Sequence, residues 1–421
     1  MRALVISDGE HYAPVVRDAL AELPHEVVGL WLAGGTEKVR GGEDYGVPVV
    51  DSLEAAIAEL EPELVVDLSD EPVLGPRERM RVASRVLALG LPYGGPDFRF
   101  EPPAFAPFPL PSLSVVGTGK RVGKTAVTGH VARLLALDRD VVVVAMGRGG
   151  PSEPQVAEVQ PTLESLLELS REGQHAASDY LETAALAGVV TIGCRRCGGG
   201  LAGAVATSNV QAGAELALQR EADFVVFDGS GAAIPPVATA KRVLVTSTFD
   251  PPALVTGYLN AYRILLADLV LVTMADASTP HEALADAIRE VKPDVTVIAV
   301  GFRPRPLASI DGKRVAYFTT AAPSAHERLA ADLGGYGAEV VHVSGSLADR
   351  PALQRELETV DADVYLTEIK AAGIDVVAEA GARRGVEIVL AANDLVHCPG
   401  QPELDPALLA LAQVERAAVG T

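Results

Sequence analysis

The chain has 421 residues, enough for two or three domains at roughly 100–200 residues each. Hydrophobic residues make up 48% and charged residues 22%, the balance of a globular protein rather than a disordered one. The 56 acidic and 35 basic residues leave a formal charge of −21, which argues against a broad basic surface for nucleic acid or for an anionic membrane.

The opening MRALVISDGE passes from a short apolar run to Asp8 without a cleavage signal, so no secretory leader is expected. Residues 1–104 alternate the strand-like runs ALVIS, VVGLWLAG, VPVV and ELVVDLSD with helical patterns. That rhythm predicts a Rossmann-like α/β domain around a parallel sheet. No G-x-G-x-x-G follows the first strand, so a nicotinamide dinucleotide is not expected there. The polar cluster Asp8-Gly9-Glu10-His11-Tyr12 stands instead where open α/β sheets place ligands; a capping Asp in an ordinary turn is the alternative.

Clustered prolines in EPPAFAPFPLPS (101–112) cannot continue a helix or a central strand and mark a boundary. A second α/β unit is expected over 112–305, with strands SLSVV, DVVVVAMG, ADFVVFDGS, RVLVTS, LVLVTM and VTVIAVG. FRPRPLAS (302–309) reads as a second joint, and 306–421 as a smaller C-terminal α/β lobe that ends, from about 400, in a poorly specified tail. Apolar stretches are interrupted before they could span a bilayer: residues 102–119 are uncharged but hold five prolines. Three cysteines cannot make a disulfide framework, so a cytoplasmic protein is expected.

The strongest local signal is Gly117-Thr118-Gly119-Lys120-Arg121-Val122-Gly123-Lys124-Thr125, between the strand SLSVV and the helical TAVTGHVARLLAL. This is the strand–loop–helix context of a phosphate-binding loop, in which backbone N–H groups cradle phosphate oxygens. Lys124 is expected to reach the β- and γ-phosphates of ATP and Thr125 to hold Mg²⁺, and Ala126 adds a helix amide. Only seven lysines occur in the chain and two lie in this loop, so a compact ammonium is expected to be in use at Lys120 as well. A solvated loop charge is the plainer reading of Lys120. Asp228 follows an apolar strand directly, the place of a carboxylate that holds Mg²⁺; a helix cap is the alternative.

Glycines flank Arg148 in Met146-Gly147-Arg148-Gly149-Gly150, letting backbone and guanidinium approach one ligand together. Gly193-Cys194-Arg195-Arg196-Cys197-Gly198-Gly199-Gly200 reads best as an anion clamp built on two arginines. Its C-x-x-C leaves a metal or redox role open, although further ligands for a closed zinc site are missing from the sequence nearby.

The loop departs by one residue from G-x-x-x-x-G-K-[ST], and its form G-x-x-x-x-x-G-K-T resembles dethiobiotin synthetase and related ATPases. That resemblance implies a basic residue facing the substrate at Arg148 and a second Mg²⁺ carboxylate at Asp179, in Ser178-Asp179; a helix cap is the other reading of that pair.

Taken together, DGEHY (8–12), GGTEK (34–38), DLSDEP (67–72), GTGKRVGKTAV (117–127), AMGRGGP (145–151), HAASD (175–179), GCRRCGGG (193–200), DGSGAAIPP (228–236), FRPRP (302–306) and LTEIKAAGIDV (366–376) resemble the cyclic 2,3-diphosphoglycerate synthetases. The resemblance implies ATP-dependent closure of 2,3-bisphosphoglycerate into an internal phosphoanhydride, with release of ADP and phosphate. It implies Lys120, Lys124, Asp228 and Arg148 as catalytic groups, and Arg148, Arg195 and Arg196 as holders of the substrate phosphates. Arg303, Arg305 and Lys370 are further candidates, with plain solvated charge as the alternative for each. Metabolic ligases of this loop type are often homodimers, so a homodimer is expected. A carboxylate–amine ligase, or a switch or metal-insertion nucleoside triphosphatase with the cysteines as its port, are the competing functions.

Overall fold

The computed structural model describes residues 1–276 and 280–414. The first domain runs through β1 (Arg2–Ser7), α1 (Ala13–Glu22), β2 (Glu26–Leu32), β3 (Val49–Val50), α2 (Leu53–Leu60), β4 (Leu64–Asp67), α3 (Pro76–Ala88), β5 (Tyr93–Gly94) and β6 (Arg99–Phe100). Its sheet has the order β3-β2-β1-β4-β5-β6, parallel except where β6 turns back on β5. Residues 3–6 of β1 are fully buried, as expected of a parallel strand covered on both faces. The strand order reverses at β1, so the ends of β1 and β4 flank the switch point of the sheet.

The second domain contains β7 (Ser112–Gly117), α4 (Lys124–Leu135), β8 (Val141–Gly147), β9 (Gln155–Ala157), α5 (Leu163–Arg171), α6 (Asp179–Ala187), β10 (Val190–Cys197), β11 (Thr207–Ser208), α7 (Val210–Gln219) and β12 (Phe224–Asp228). It continues with β13 (Lys241–Ser247), α8 (Pro252–Val255), α9 (Asn260–Leu266), β14 (Leu269–Thr273), α10 (Glu282–Val291) and β15 (Thr296–Pro306). The C-terminal lobe adds β16 (Arg314–Phe318), α11 (His326–Gly334), β17 (Glu339–Ser344), α12 (Arg350–Thr359), β18 (Val364–Glu368), α13 (Glu379–Arg384), β19 (Glu387–His397) and α14 (Leu404–Leu411).

Three stretches read from the sequence as joints or tail carry structure of their own. The proline-rich boundary after residue 100 is docked: Phe108 packs edge-on against Phe227 at 5.0 Å, and the Arg242 guanidinium covers the Phe105 ring at 4.6 Å. The expected joint at 302–309 is largely strand, because β15 runs on to Pro306. β15 pairs with β14 only as far as Ala299 and with β19 from Val300 to Pro306. Beyond Ala299 one edge of β15 has no strand partner, so Pro304 and Pro306 can turn their missing N–H groups to that side. One sheet, β11-β10-β8-β12-β7-β13-β14-β15-β19-β18-β16-β17, therefore runs through both the second domain and the C-terminal lobe.

The expected tail is also structured as far as residue 414; residues 415–421 lie outside the described residues. α14 buries Leu404 and Leu408 in the core that lines α4, together with Val127, Val131 and Leu135. Burial of each leucine contributes about 1.5–3 kcal/mol. No side chain caps this eight-residue helix, so packing rather than local propensity holds it, which is why the sequence pattern is faint. The first domain is joined to the second through a shared core in which Val82, Val86 and Leu87 of α3 meet Val255, Leu259 and Tyr262. No helix among the described residues is long and apolar enough to cross a membrane.

Candidate active site

The phosphate loop lies between β7 and α4, and close backbone approaches fix its shape. A Cβ on Gly117 would stand 2.8 Å from the Gly231 carbonyl, and Gly123 has φ +81°, so both positions call for glycine. Thr118 N–H donates to the Val245 carbonyl at 2.9 Å, and its hydroxyl meets that of Thr246 at 3.1 Å. Thr273 donates to the Val122 carbonyl at 2.8 Å, while the Val122 side chain is buried in the core. The neighbouring strand β13 and the next one out, β14, thus tie the loop down ahead of α4. The first N–H groups of a helix have no partner within it, so those of 124–126 could receive an anion.

Lys124 begins α4 and is nearly buried, with Nζ 2.6 Å from Asp228 Oδ1. Thr128, one turn later, donates to the same oxygen at 2.7 Å. Asp228 ends β12, next to β7, and is fully buried; burial pushes its carboxyl up and Lys124 pulls it back. Its second oxygen, Oδ2, is buried and has no hydrogen-bond partner. Buried polar atoms are nearly always satisfied, so such an oxygen marks a site made for a cation or a water. Asp179 opens α6 and approaches the end of β8, its Oδ2 3.3 Å from where a Gly147 Cβ would stand. Its charge is felt at Asp228, at Arg196 and at Lys370. Thr125, Asp179 and Asp228 offer oxygen donors alone, which suits a hard cation such as Mg²⁺ that keeps several waters and phosphate oxygens.

The arginines come from two neighbouring strand ends. Arg148 follows β8 and is exposed, as is Arg195 near the end of β10. Arg196 Nη2 donates to the Ser230 carbonyl at 2.8 Å and Nη1 to the Gly198 carbonyl at 2.7 Å, while Nε is buried without a partner. Burial, and then the charge of Arg148, hold the Arg196 guanidinium below its ordinary value. Lys120 reaches the same place: its Cγ lies 3.8 Å and Arg196 Nη2 4.0 Å from where a Gly231 Cβ would stand. Asn209 ties the two strand ends together. Its Oδ1 accepts from Arg195 N–H at 2.7 Å, and its amide donates to the Pro151 and Ser152 carbonyls, each at 3.1 Å.

The cysteines do not form a pair. Both sit on β10 three residues apart, so they face opposite sides of the sheet, Cys194 against Gly213 and Cys197 exposed. Burial pushes the Cys194 thiol up to about 12, which makes it an inert core group.

Of the three further cations, Arg303 and Arg305 are paired with carboxylates of the C-terminal lobe, and Lys370 lies beside the loop. Phe302 lays its ring over Gly123, so the next residue, Arg303, points the other way and pairs with Asp332 at 3.7 Å. Arg305 pairs with Asp394 at 3.0 Å, beside Arg133. Lys370 approaches the loop from the C-terminal lobe, and its Nζ lies 3.5 Å from Glu182 Oε1. The cluster at Asp8 is occupied internally: Asp8 accepts from the N–H groups of Glu10, His11 and Asp70 and meets His11 Nδ1 at 2.8 Å. Asp67 is likewise taken up by Ser69, Arg79 and Tyr93. Sequence reasoning missed Thr128, Glu182, Asn209 and Glu368. The helical spacings Lys124–Thr128 and Asp179–Glu182 were signals for two of them.

The chain matches three domain descriptions: the N-terminal domain of cyclic 2,3-diphosphoglycerate synthetase over residues 2–101, its P-loop domain over 112–300 and its C-terminal domain over 306–394. The cyclic 2,3-diphosphoglycerate synthetase of Rubrobacter xylanophilus is 50% identical, with 98% of this chain and 97% of that protein covered. Those of Thermococcus kodakarensis, at 42%, and Methanothermobacter thermautotrophicus, at 41%, cover 94% and 98% of this chain, and 95% and 96% of their own lengths. Among solved structures, LpxK from Aquifex aeolicus in complex with ATP aligns with a TM-score of 0.42 and 14% identity, over 73% of this chain and 89% of that one.

Proposed function

Because the chain belongs to the cyclic 2,3-diphosphoglycerate synthetase family, we propose that it is an ATP-dependent ligase that closes 2,3-bisphosphoglycerate into the cyclic phosphoanhydride, releasing ADP and phosphate. The observation that supports the site assignment is the convergence of Lys120 and Arg196 on Gly231, whose carbonyl accepts from the Gly117 N–H, with Lys124 paired to Asp228 on the adjoining strand end.

Two phosphate dianions repel, and a phosphate monoester is a poor electrophile, so ring closure needs both activation and charge neutralisation. In the simplest sequence, one substrate phosphate oxygen attacks the γ-phosphorus of ATP and ADP leaves. An oxygen of the other phosphate then attacks the phosphorus bonded to the glycerate. The terminal phosphate departs with the bridging electron pair, and the ring is closed. Loop amides 119–126 bind the ATP phosphates, and Lys124, once drawn from Asp228 by the nucleotide, follows the transferring group. Thr125, Asp179 and Asp228 would hold Mg²⁺, which would supply charge neutralisation for the ATP phosphates. Arg148, Arg196 and Lys120 hold the two substrate phosphates close together, which converts the second step into an oriented intramolecular one, while Arg195, next to Arg196 on the alternating strand, faces the other side of β10. No covalent enzyme intermediate is required.

A homodimer at work in the cytoplasm completes the reading, and light scattering of the purified protein tests the dimer. Phosphorus NMR of the protein with ATP, Mg²⁺ and 2,3-bisphosphoglycerate tests the function. Growth of a cyclic anhydride signal in step with ADP is expected; ATP turnover without it would overturn the assignment.

A further inference from the structure

α6 presents Asp179 at its first position and Glu182 three residues on, on the same face of the helix. Glu182 is 4% exposed and lines a narrow cleft of about 20 Å³ together with Thr125, Thr183, Glu368, Lys370 and Asn393. The cleft lies between α4, α6, the end of β18 and the middle of β19, so the C-terminal lobe forms one of its walls. Thr183 Oγ1, buried and without a partner, belongs to the same wall as Glu182.

Glu368 is held by its own lobe: Asn393 donates to Oε1 at 2.9 Å and Thr320 N–H to Oε2 at 3.2 Å. Lys370 is not needed there and extends to Glu182 instead, at 3.5 Å. Apolar packing supports that reach, since Leu181 and Ala185 of α6 share a core with Ile369, Ile374 and Leu390 of the lobe. Without the lysine, Glu182 would be a buried carboxylate with Asp179 and Glu368 as its charged neighbours. Repulsion one turn apart on a helix would then act on Asp179 directly.

We propose that Lys370 is a positioning residue, which pairs with Glu182 to couple the seating of the C-terminal lobe to the placement of Asp179 at the metal-ion end of the ATP site. It does not contact the bisphosphate. The inference rests on the assignment of Asp179 as a metal ligand made above. Glu182, held up by burial against the pull of Lys370, and Lys370, held well above the ordinary lysine value by Glu182, fit such a pair.

The test compares Lys370→Met, Lys370→Arg and the double variant Glu182→Gln/Lys370→Met in the full chain. Two quantities are read: Mn²⁺ binding by electron paramagnetic resonance with a non-hydrolysable ATP analogue present, and the KM for 2,3-bisphosphoglycerate. Lys370→Met is expected to weaken Mn²⁺ about tenfold, the usual scale for loss of a group behind a metal ligand, with the bisphosphate KM within about twofold of wild type. Lys370→Arg and the double variant, which bury no unpaired carboxylate, are expected within about threefold of wild type in Mn²⁺ affinity. A raised bisphosphate KM with unchanged Mn²⁺ binding in Lys370→Met would overturn the proposal, as would a double variant that binds Mn²⁺ about tenfold more weakly than wild type. Unchanged Mn²⁺ binding in Asp179→Asn would instead refute the metal-ligand assignment itself.

Discussion

Gly150→Ala places one methyl group between the two strand ends that carry the substrate arginines. A Cβ at 150 would stand 2.0 Å from the Cys194 carbonyl oxygen, 2.6 Å from its carbon and 3.1 Å from Arg195 N. All three are backbone atoms of β10, which is held from both sides by β8 and β9, so no side chain can swing away. Since real Cβ atoms essentially never come within 3.0 Å of such an atom, the 148–151 loop and the Arg195 strand must separate by about 1 Å. A misplacement of that size in a positioned reaction costs up to about 10²-fold in rate, or about 2.7 kcal/mol of transition-state stabilisation. We therefore expect Gly150→Ala to lower kcat/KM for 2,3-bisphosphoglycerate by about 10–10²-fold, with the KM for ATP within about twofold of wild type. Initial rates of ADP release at varied bisphosphate and at varied ATP separate the two effects. Gly149→Ala is the control, because its Cβ would meet only the exposed His175 ring, at 3.0 Å, which can move. A folded Gly150→Ala protein with wild-type kcat/KM for the bisphosphate would show that Arg148 and Arg196 do not act on one substrate.

Lys124→Ala is expected to remove ATP turnover by at least about 10²-fold; normal turnover would take the loop out of the chemistry. Arg195→Ala combined with Arg196→Ala should raise the bisphosphate KM or lower kcat far more than it weakens ATP, and an equal loss for both ligands would refute the clamp. Leu408→Ala should lower unfolding stability by about 2–5 kcal/mol, measured by denaturant titration, because the side chain is 1% exposed in the core behind α4. A change below about 0.5 kcal/mol would mean that α14 is not docked. Burial pushes Glu182 from 4.5 up to about 7, so the folded state holds its proton more tightly than the unfolded chain. The contribution is present below the unfolded value and lost as pH rises through the folded one. The Tm of Glu182→Gln relative to wild type should therefore climb between about pH 5 and about pH 7.5, and a flat or falling difference would contradict the raised value.

What the sequence by itself determined was local and contiguous. The phosphate loop is a single run between one strand and one helix, and glycine at 123 answers to backbone geometry within that run. Asp228 was legible because an apolar strand ends on it, and the α/β class because strand and helix patterns alternate throughout. Burial of the strands on both faces made them readable as a parallel sheet without any partner being known.

Tertiary structure alone decided what these pieces meet. Prolines 304 and 306 read as a joint, yet they lie in a strand, because a proline harms only the edge of the ladder that has a partner, and that edge is known only once β19 is in place. Arg303 and Lys370 look alike as charges in a motif. One follows Phe302 and must face away from the loop, while the other is carried by the return of β18 to within reach of α6. α14 had no capping signal because its stability comes from the core behind α4, contributed by residues far away in the chain. Period, turn chemistry and strand ends are set within a few residues, whereas the pairing of Glu182 with Lys370 depends on long-range burial that closes the C-terminal lobe over the ATP site.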